Sequence, residues 1–169
     1  LDQRMYPTEG YGDEIGTLVR MLELARFETI REIEGLTVAE LDFLLTEKSN
    51  SIGALLQHMA AIEHIHQILT FEKRDPSEEE LEEFRPALFL GEAGRSEVKG
   101  NELHTYLEHL RAGRDRTLTY LKTVEREWLY EESTWPDGTQ INHYFLWYHV
   151  LEDEISHRGQ IRLIKAQLS

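Results

Sequence analysis

The stretch His149-Val-Leu-Glu-Asp153-Glu-Ile-Ser-His157-Arg-Gly-Gln160 decides how this chain is read. It lies in a segment with helical periodicity, and it sets Asp153 and His157 four residues apart. Residues at that spacing lie one above the other on a helix, so a carboxylate and an imidazole project together. His149 stands one further four-residue step back. Two such groups on one face make half a metal site, and the other half has to come from elsewhere in the chain.

Outward from this stretch the periodicity continues from about residue 141 to 166. The inward stripe reads Leu146, His149/Val150, Asp153, His157, Gln160/Ile161, Ile164 and Leu168. Trp147 and Tyr148 read as core packing. Three more segments carry a stripe of the same kind. The first, about 13–34, shows Ile15, Leu18, Val19, Leu22, Ala25, Thr29, Ile30 and Ile33, with Asp13 placed to cap it and Gly35 to end it. The second, about 50–73, begins at Asn50 or Ser51 and carries Leu55, His58, Ile62, Ile65 and Leu69, with His64 and His66 beside the stripe. Arg74-Asp75-Pro76 is expected to end it, because proline cannot continue the ladder. The third, about 101–126, shows Leu103, Tyr106, Leu107, Leu110, Thr117, Leu118, Leu121 and Val124, with His104 and His109 off the stripe and solvated.

The connections are read more coarsely. Thr37 followed by Glu40 is a capping-box pattern for one short turn. Residues 75–100 are the least regular part, with an acidic helical turn or two over Ser77–Phe84 and an extended run over Arg85–Gly91. About 25 residues can span a bundle end to end, so the third long helix is free to run parallel to the second. The turn Pro136-Asp137-Gly138 between Trp128 and Gln140 predicts a small hairpin. Four long amphipathic helices with little strand signal give an all-α four-helix bundle with a long crossover connection, one domain over residues 1–169.

Composition narrows the function classes. Thirty-two acidic residues against 18 basic ones give a formal charge of −14, which argues against nucleic acid and against an anionic membrane surface as partners. No stretch approaches the roughly 18 apolar residues of a membrane span. No signal-peptide pattern opens the chain, which starts on Leu1 rather than Met and reads as trimmed or extended there. The absence of cysteine removes any disulfide, Cys-type zinc site or thiol nucleophile of the protein's own, and suits the cytoplasm.

Against the four stripes three residues are out of place: His58 on the second helix, Asp153 and His157 on the fourth. An aspartate pointing into a core is costly unless it is paired or ligates a metal. A His–Asp–His set supplies three ligands suited to Zn²⁺, Ni²⁺ or Fe²⁺ and leaves a coordination position open, the catalytic arrangement. Two other readings stand beside this one. His58 alone could be a hydrogen-bonded core histidine, and Asp153 could pair with His157 or with an arginine. Glu154, three residues before His157, is the alternative carboxylate, and His149 is a fourth ligand, an outer partner or neither.

At these residues the chain resembles the DinB/YfiT-like superfamily, which includes bacillithiol- and mycothiol-dependent transferases and isomerases. The matching pieces are Asn50-Ser-Ile-Gly-Ala-Leu-Leu-Gln-His58-Met-Ala-Ala-Ile-Glu63 and the opening stretch through Ile161. The resemblance implies a four-helix bundle, often with a crossover that makes neighbouring helices parallel. It also implies a metal triad, which falls here on His58, Asp153 and His157. Many members carry His where Asp153 stands, and some thiol-dependent ones carry Glu. The implied activity is transfer to a small-molecule substrate from a low-molecular-weight thiol such as bacillithiol. The thiol would be activated at a divalent ion, Zn or Ni, with His149 as an outer partner or proton shuttle. The implied assembly is a homodimer. Two alternatives remain: a hydrolase that uses water activated by the ion, and a non-catalytic bundle dimer with a vestigial site.

Overall fold

Four long helices carry the architecture of the computed structural model, which describes residues 2–168. They are α1 (Asp13–Ile33), α3 (Ile52–Gln67), α6 (Leu103–Leu121) and α8 (His143–Lys165). Between them lie short α2 (Val38–Leu41), a crossover arm of α4 (Glu78–Phe89) and α5 (Gly91–Glu97), and α7 (Arg126–Leu129). A two-stranded antiparallel hairpin, β1 (Glu132–Thr134) and β2 (Gln140–Asn142), leads into α8. Among the described residues no helix is long and apolar enough to cross a membrane.

Side-chain pairings give the helix directions. Gln57 meets His109, Glu63 meets Arg114 and Gln67 meets Thr117, so α3 and α6 run parallel. Arg26 meets Glu154 and Glu32 meets Arg162, so α1 and α8 are parallel as well. His58 opposite His157 and His66 opposite His149 make α3 and α8 antiparallel. The crossover arm returns the chain to the end from which α3 started, as its length allowed. Gly53 lets Tyr106 of α6 pack against the α3 backbone: a Cβ there would meet Tyr106 Oη at 2.5 Å.

The helix ends follow local chemistry. Ser51 caps α3 by accepting from the Ala54 amide, Asn142 caps α8 by accepting from Phe145, and Thr37 with Glu40 closes a capping box on α2. Asn50, the other cap candidate, instead accepts from the Gly91 amide and pins the crossover arm. α1 is capped by the Gly12 backbone, with Asp13 in its first turn, and Gly35 sits beyond its end at φ 77°.

The structure corrects several local expectations. Arg85–Gly91 is not extended: Ser77 and Glu80 start α4 with a capping box, and the helix runs through Pro86 to Phe89. A mid-helix proline forfeits one ladder bond and crowds the preceding turn. Here the apolar face that α4 lays on α3, with Ala87 buried, offsets that loss. The second long helix ends just before Arg74-Asp75-Pro76, as expected, but not as a regular α-helix. Its last turn loosens into a π-helical turn, Ile68–Glu72, and ends at Lys73 in the left-handed region. This looser turn holds Phe71 stacked between Tyr120 and Trp147. The third helix ends at Leu121, and the chain turns there into α7. Tyr148, read as core, is half exposed, whereas Trp147 is fully buried and donates to Thr70. Truncating Trp147 to Ala would cost about 3–5 kcal/mol.

The core has two apolar clusters. One gathers Ile33, Leu55, Met59, Leu110 and Ile161; the other Leu18, Leu22, Leu121, Trp147 and Val150. α1, α6 and α8 contribute buried side chains to both, α3 to the first, and each of the four long helices places one buried charged residue near where the clusters meet: Arg26, Glu63, Arg114 and Glu154. These four form one closed cluster. Arg26 donates to Glu154 at 2.9 Å and Glu63 at 3.0 Å, and Arg114 donates to Glu63 at 2.8 Å. Each arginine also donates to a main-chain carbonyl, Leu110 or Leu22, and Thr117 donates to Glu63.

Candidate metal centre

The antiparallel packing of α3 on α8 brings together the three residues that the stripes left out of place. His58 Nε2 lies 3.4 Å from Asp153 Oδ1, and His157 Nε2 lies 3.1 Å from the same oxygen. The two imidazole rings meet edge to face at 4.8 Å between centroids. One ligand atom from each residue falls within 4.8 Å of the other two, the one such group of three or more among the described residues. All three side chains are nearly buried, at 10–12% exposed.

Hydrogen bonding around the trio determines which lone pairs face inward. The Ala87 carbonyl can only accept, so His58 Nδ1, at 2.8 Å from it, carries the proton and Nε2 is left to face Asp153. That carbonyl comes from α4, so the crossover arm orients the histidine. Asp153 Oδ2 and His157 Nδ1 are buried with no hydrogen-bond partner. Burial works against charge on Asp153, but its contacts with His157 and His58 outweigh burial and hold its carboxyl far below the usual range. Burial likewise pulls His58 down, and the hydrogen bond and charge of Asp153 outweigh it, leaving that pKa raised.

This donor set fits a divalent ion. Nitrogen and oxygen ligands at zinc distances sit about 3.3 Å apart around a tetrahedron, close to both Asp153–histidine separations. A histidine ligand characteristically donates its other ring N–H to a carbonyl or carboxylate, as His58 does to Ala87. A lone-pair nitrogen facing a carboxylate oxygen is repulsive unless a proton or a cation lies between them. Three protein ligands would leave a coordination position for an exogenous group.

The remaining candidates are placed elsewhere. Glu154 belongs to the charge cluster, one residue from Asp153 and on the other side of α8's inner face. His149 lies outside the trio and is partly exposed; its Nδ1 is 3.1 Å from Glu152 Oε1, and its ring faces His66. Gln160, half of a stripe position, is exposed, and Ile161 fills that place in the core. Two features went unread in the sequence. Arg26, Glu63, Arg114 and Glu154 each stand three or four residues from buried neighbours, which was the available signal. His66, placed beside the stripe, is buried; it stands four residues before Thr70, whose hydroxyl anchors Trp147.

The up-down-down-up bundle, here with a His/Asp/His cluster across α3 and α8, places the chain in the DinB/YfiT-like class of helical proteins. Within it, residues 17–169 match the mycothiol-S-transferase family, and the chain belongs to that family. A conserved protein from Enterococcus faecalis, known from its crystal structure, shares the fold. It has a TM-score of 0.67 and 20% identity, with 87% of this chain and 92% of that one covered. No curated protein matches the sequence.

Proposed function

We propose that this protein is a divalent-metal-dependent S-transferase that joins a low-molecular-weight thiol to a small electrophilic substrate. The observation that carries the reading is the convergence of His58 Nε2 and His157 Nε2 on Asp153 Oδ1, in a chain of the mycothiol-S-transferase family. The family points to mycothiol as the thiol, where the sequence alone offered bacillithiol as its example. His58, Asp153 and His157 would hold the ion, Zn²⁺ or Ni²⁺. Such an ion lowers the pKa of a thiol that binds it, so that thiolate is available at neutral pH.

The chain's own residues do the rest. Ala87 O fixes the His58 tautomer, and Asp153 supplies the negative charge that favours a cation between the two rings. The near-burial of the trio strips water from the incoming sulfur. His149, one turn from Asp153 and partly exposed, takes the thiol proton at Nε2 while Glu152 holds Nδ1, and passes it to solvent. The sulfur then forms its bond to the electrophilic carbon, and the leaving group departs with its electron pair.

A cytoplasmic homodimer completes the proposal. Phe27, Ile30, Ile155 and Leu163, exposed on the outer faces of α1 and α8, support self-association, and sedimentation velocity would read it. The activity test strips the protein, reloads it with Zn²⁺ or Ni²⁺ and supplies mycothiol with an electrophile such as 1-chloro-2,4-dinitrobenzene. Conjugate should form with the thiol present and not without it. Turnover of an ester or amide in the absence of thiol would replace this reading with the hydrolase.

A further inference from the structure

A second pair of histidines faces across the same α3–α8 seam. His66 lies two turns beyond His58 on α3, His149 one turn before Asp153 on α8, and their ring centroids are 5.5 Å apart at an interplanar angle of 47°. His66 is 5% exposed. Its Nδ1 is 2.7 Å from the Ile62 carbonyl, which can only accept, so Nδ1 carries the proton and Nε2 a lone pair. That Nε2 is buried and has no partner.

His149 is arranged in the same way. Its Nδ1 lies 3.1 Å from Glu152 Oε1, and a carboxylate oxygen accepts, so Nδ1 donates. Both rings thus donate one N–H to an acceptor on their own helix and keep Nε2 for the other side. This is the outer hydrogen bonding characteristic of histidines that ligate metals. Two imidazoles on one tetrahedral ion would have centroids about 5.2 Å apart, given zinc–nitrogen distances near 2.05 Å. The observed spacing is close to that.

The geometry points to a second divalent-cation site at His66 Nε2 and His149 Nε2, with water on the exposed side of His149 completing the shell. Imidazole pairs suit Zn²⁺, Ni²⁺ and Cu²⁺. With two protein ligands against three, it binds more weakly than the site at His58, Asp153 and His157. The site stands apart from the S-transferase reading. It also competes with one part of that reading, because an ion on Nε2 takes from His149 the lone pair a proton would use.

Titration of the chelated, full-length chain with Zn²⁺ by isothermal calorimetry at neutral pH tests it, with circular dichroism confirming the fold of each variant. Wild type is expected to show two events. His66→Leu and His149→Phe should lose the weaker event and keep the stronger; His58→Ala should lose the stronger and keep the weaker. Should the buried His66→Leu variant not fold, the partly exposed His149 variant carries the test. A single wild-type event removed by His58→Ala overturns the second site and leaves the first standing, as a donated proton or a water between the rings would. Persistence of the weaker event in His149→Phe overturns it too.

Discussion

Two buried polar clusters sit side by side on α3 and α8, and they are finished to different degrees. In the cluster of Arg26, Glu63, Arg114 and Glu154 two positive charges meet two negative ones, and none of the four leaves a buried polar atom unpaired. In the cluster of His58, Asp153 and His157, one carboxylate faces two imidazole nitrogens, and Asp153 Oδ2 and His157 Nδ1 have no partner at all. Asp153 and Glu154 are adjacent in sequence and both acidic, yet they serve opposite ends. Burial of charge alone does not mark the site; the unpaired atoms on two of its ligand candidates set the trio apart from the closed cluster. The closed cluster joins all four long helices and holds α8 at the rotation that aims Asp153 at His58.

The largest effect separating the two should come from unbalancing the closed cluster. Glu63→Leu leaves Arg26 and Arg114 sharing Glu154, and an uncompensated buried charge costs about 3–5 kcal/mol. Urea unfolding of the metal-free protein should show that loss, a large share of the about 5–15 kcal/mol that holds an ordinary domain folded. Asp153→Ala should do the reverse. It leaves the fold largely intact but weakens zinc binding by more than the about 10–100-fold that outer partners carry. If Asp153→Ala unfolds the protein while Glu63→Leu only weakens zinc binding, the roles drawn for the clusters are exchanged.

The pH responses should diverge as well. Burial opposes the charge on Glu63, but Arg114 and Arg26 outweigh it and depress its carboxyl to about 2. A depressed folded pKa contributes stability that is present above the unfolded value and lost as pH falls through the folded one. The closed cluster should therefore give way between about pH 4.5 and 2. The raised pKa of His58 has the opposite sign in the metal-free protein: its contribution is full below about pH 6.5 and is lost as pH rises through the folded value. Zinc affinity should run against this trend, because ligand histidines must be deprotonated to bind. Calorimetric melts with and without Zn²⁺ across pH 5.5–8.5 would read both trends, and parallel trends would contradict the assignment.

The smallest expected effect is indirect. Ser77→Ala removes the cap of α4 and costs about 1 kcal/mol of local stability, which hydrogen exchange would detect. Loosening α4 loosens Ala87 O and with it the His58 tautomer, so zinc affinity should fall by no more than about 10–100-fold. The closed cluster should not respond.

Much of this was legible in the sequence, for identifiable reasons. The four helices are long and strongly periodic, and polar residues inside apolar stripes stand out, so the bundle and the trio both came through. The length of the crossover left α6 free to run parallel to α3, which it does. The crossover's internal structure was not legible, because Pro86 suggested an extended run while the tertiary contact of α4 with α3 was invisible. The closed charge cluster was missed because arginine and glutamate ordinarily read as solvated. Their pairing depends on four helices meeting at one level, which no single stripe reveals. His66 was missed because the seam with α8 buries a residue that periodicity puts at the edge of the stripe.

The most direct test of the central claim is the tight zinc stoichiometry of the chelated and reloaded wild-type chain, measured beside His58→Ala and His157→Ala. The account predicts one tightly held ion per chain in wild type and none in either variant, with helical content retained in all three. A folded wild-type protein that takes up no tight ion when offered Zn²⁺ or Ni²⁺ would contradict it.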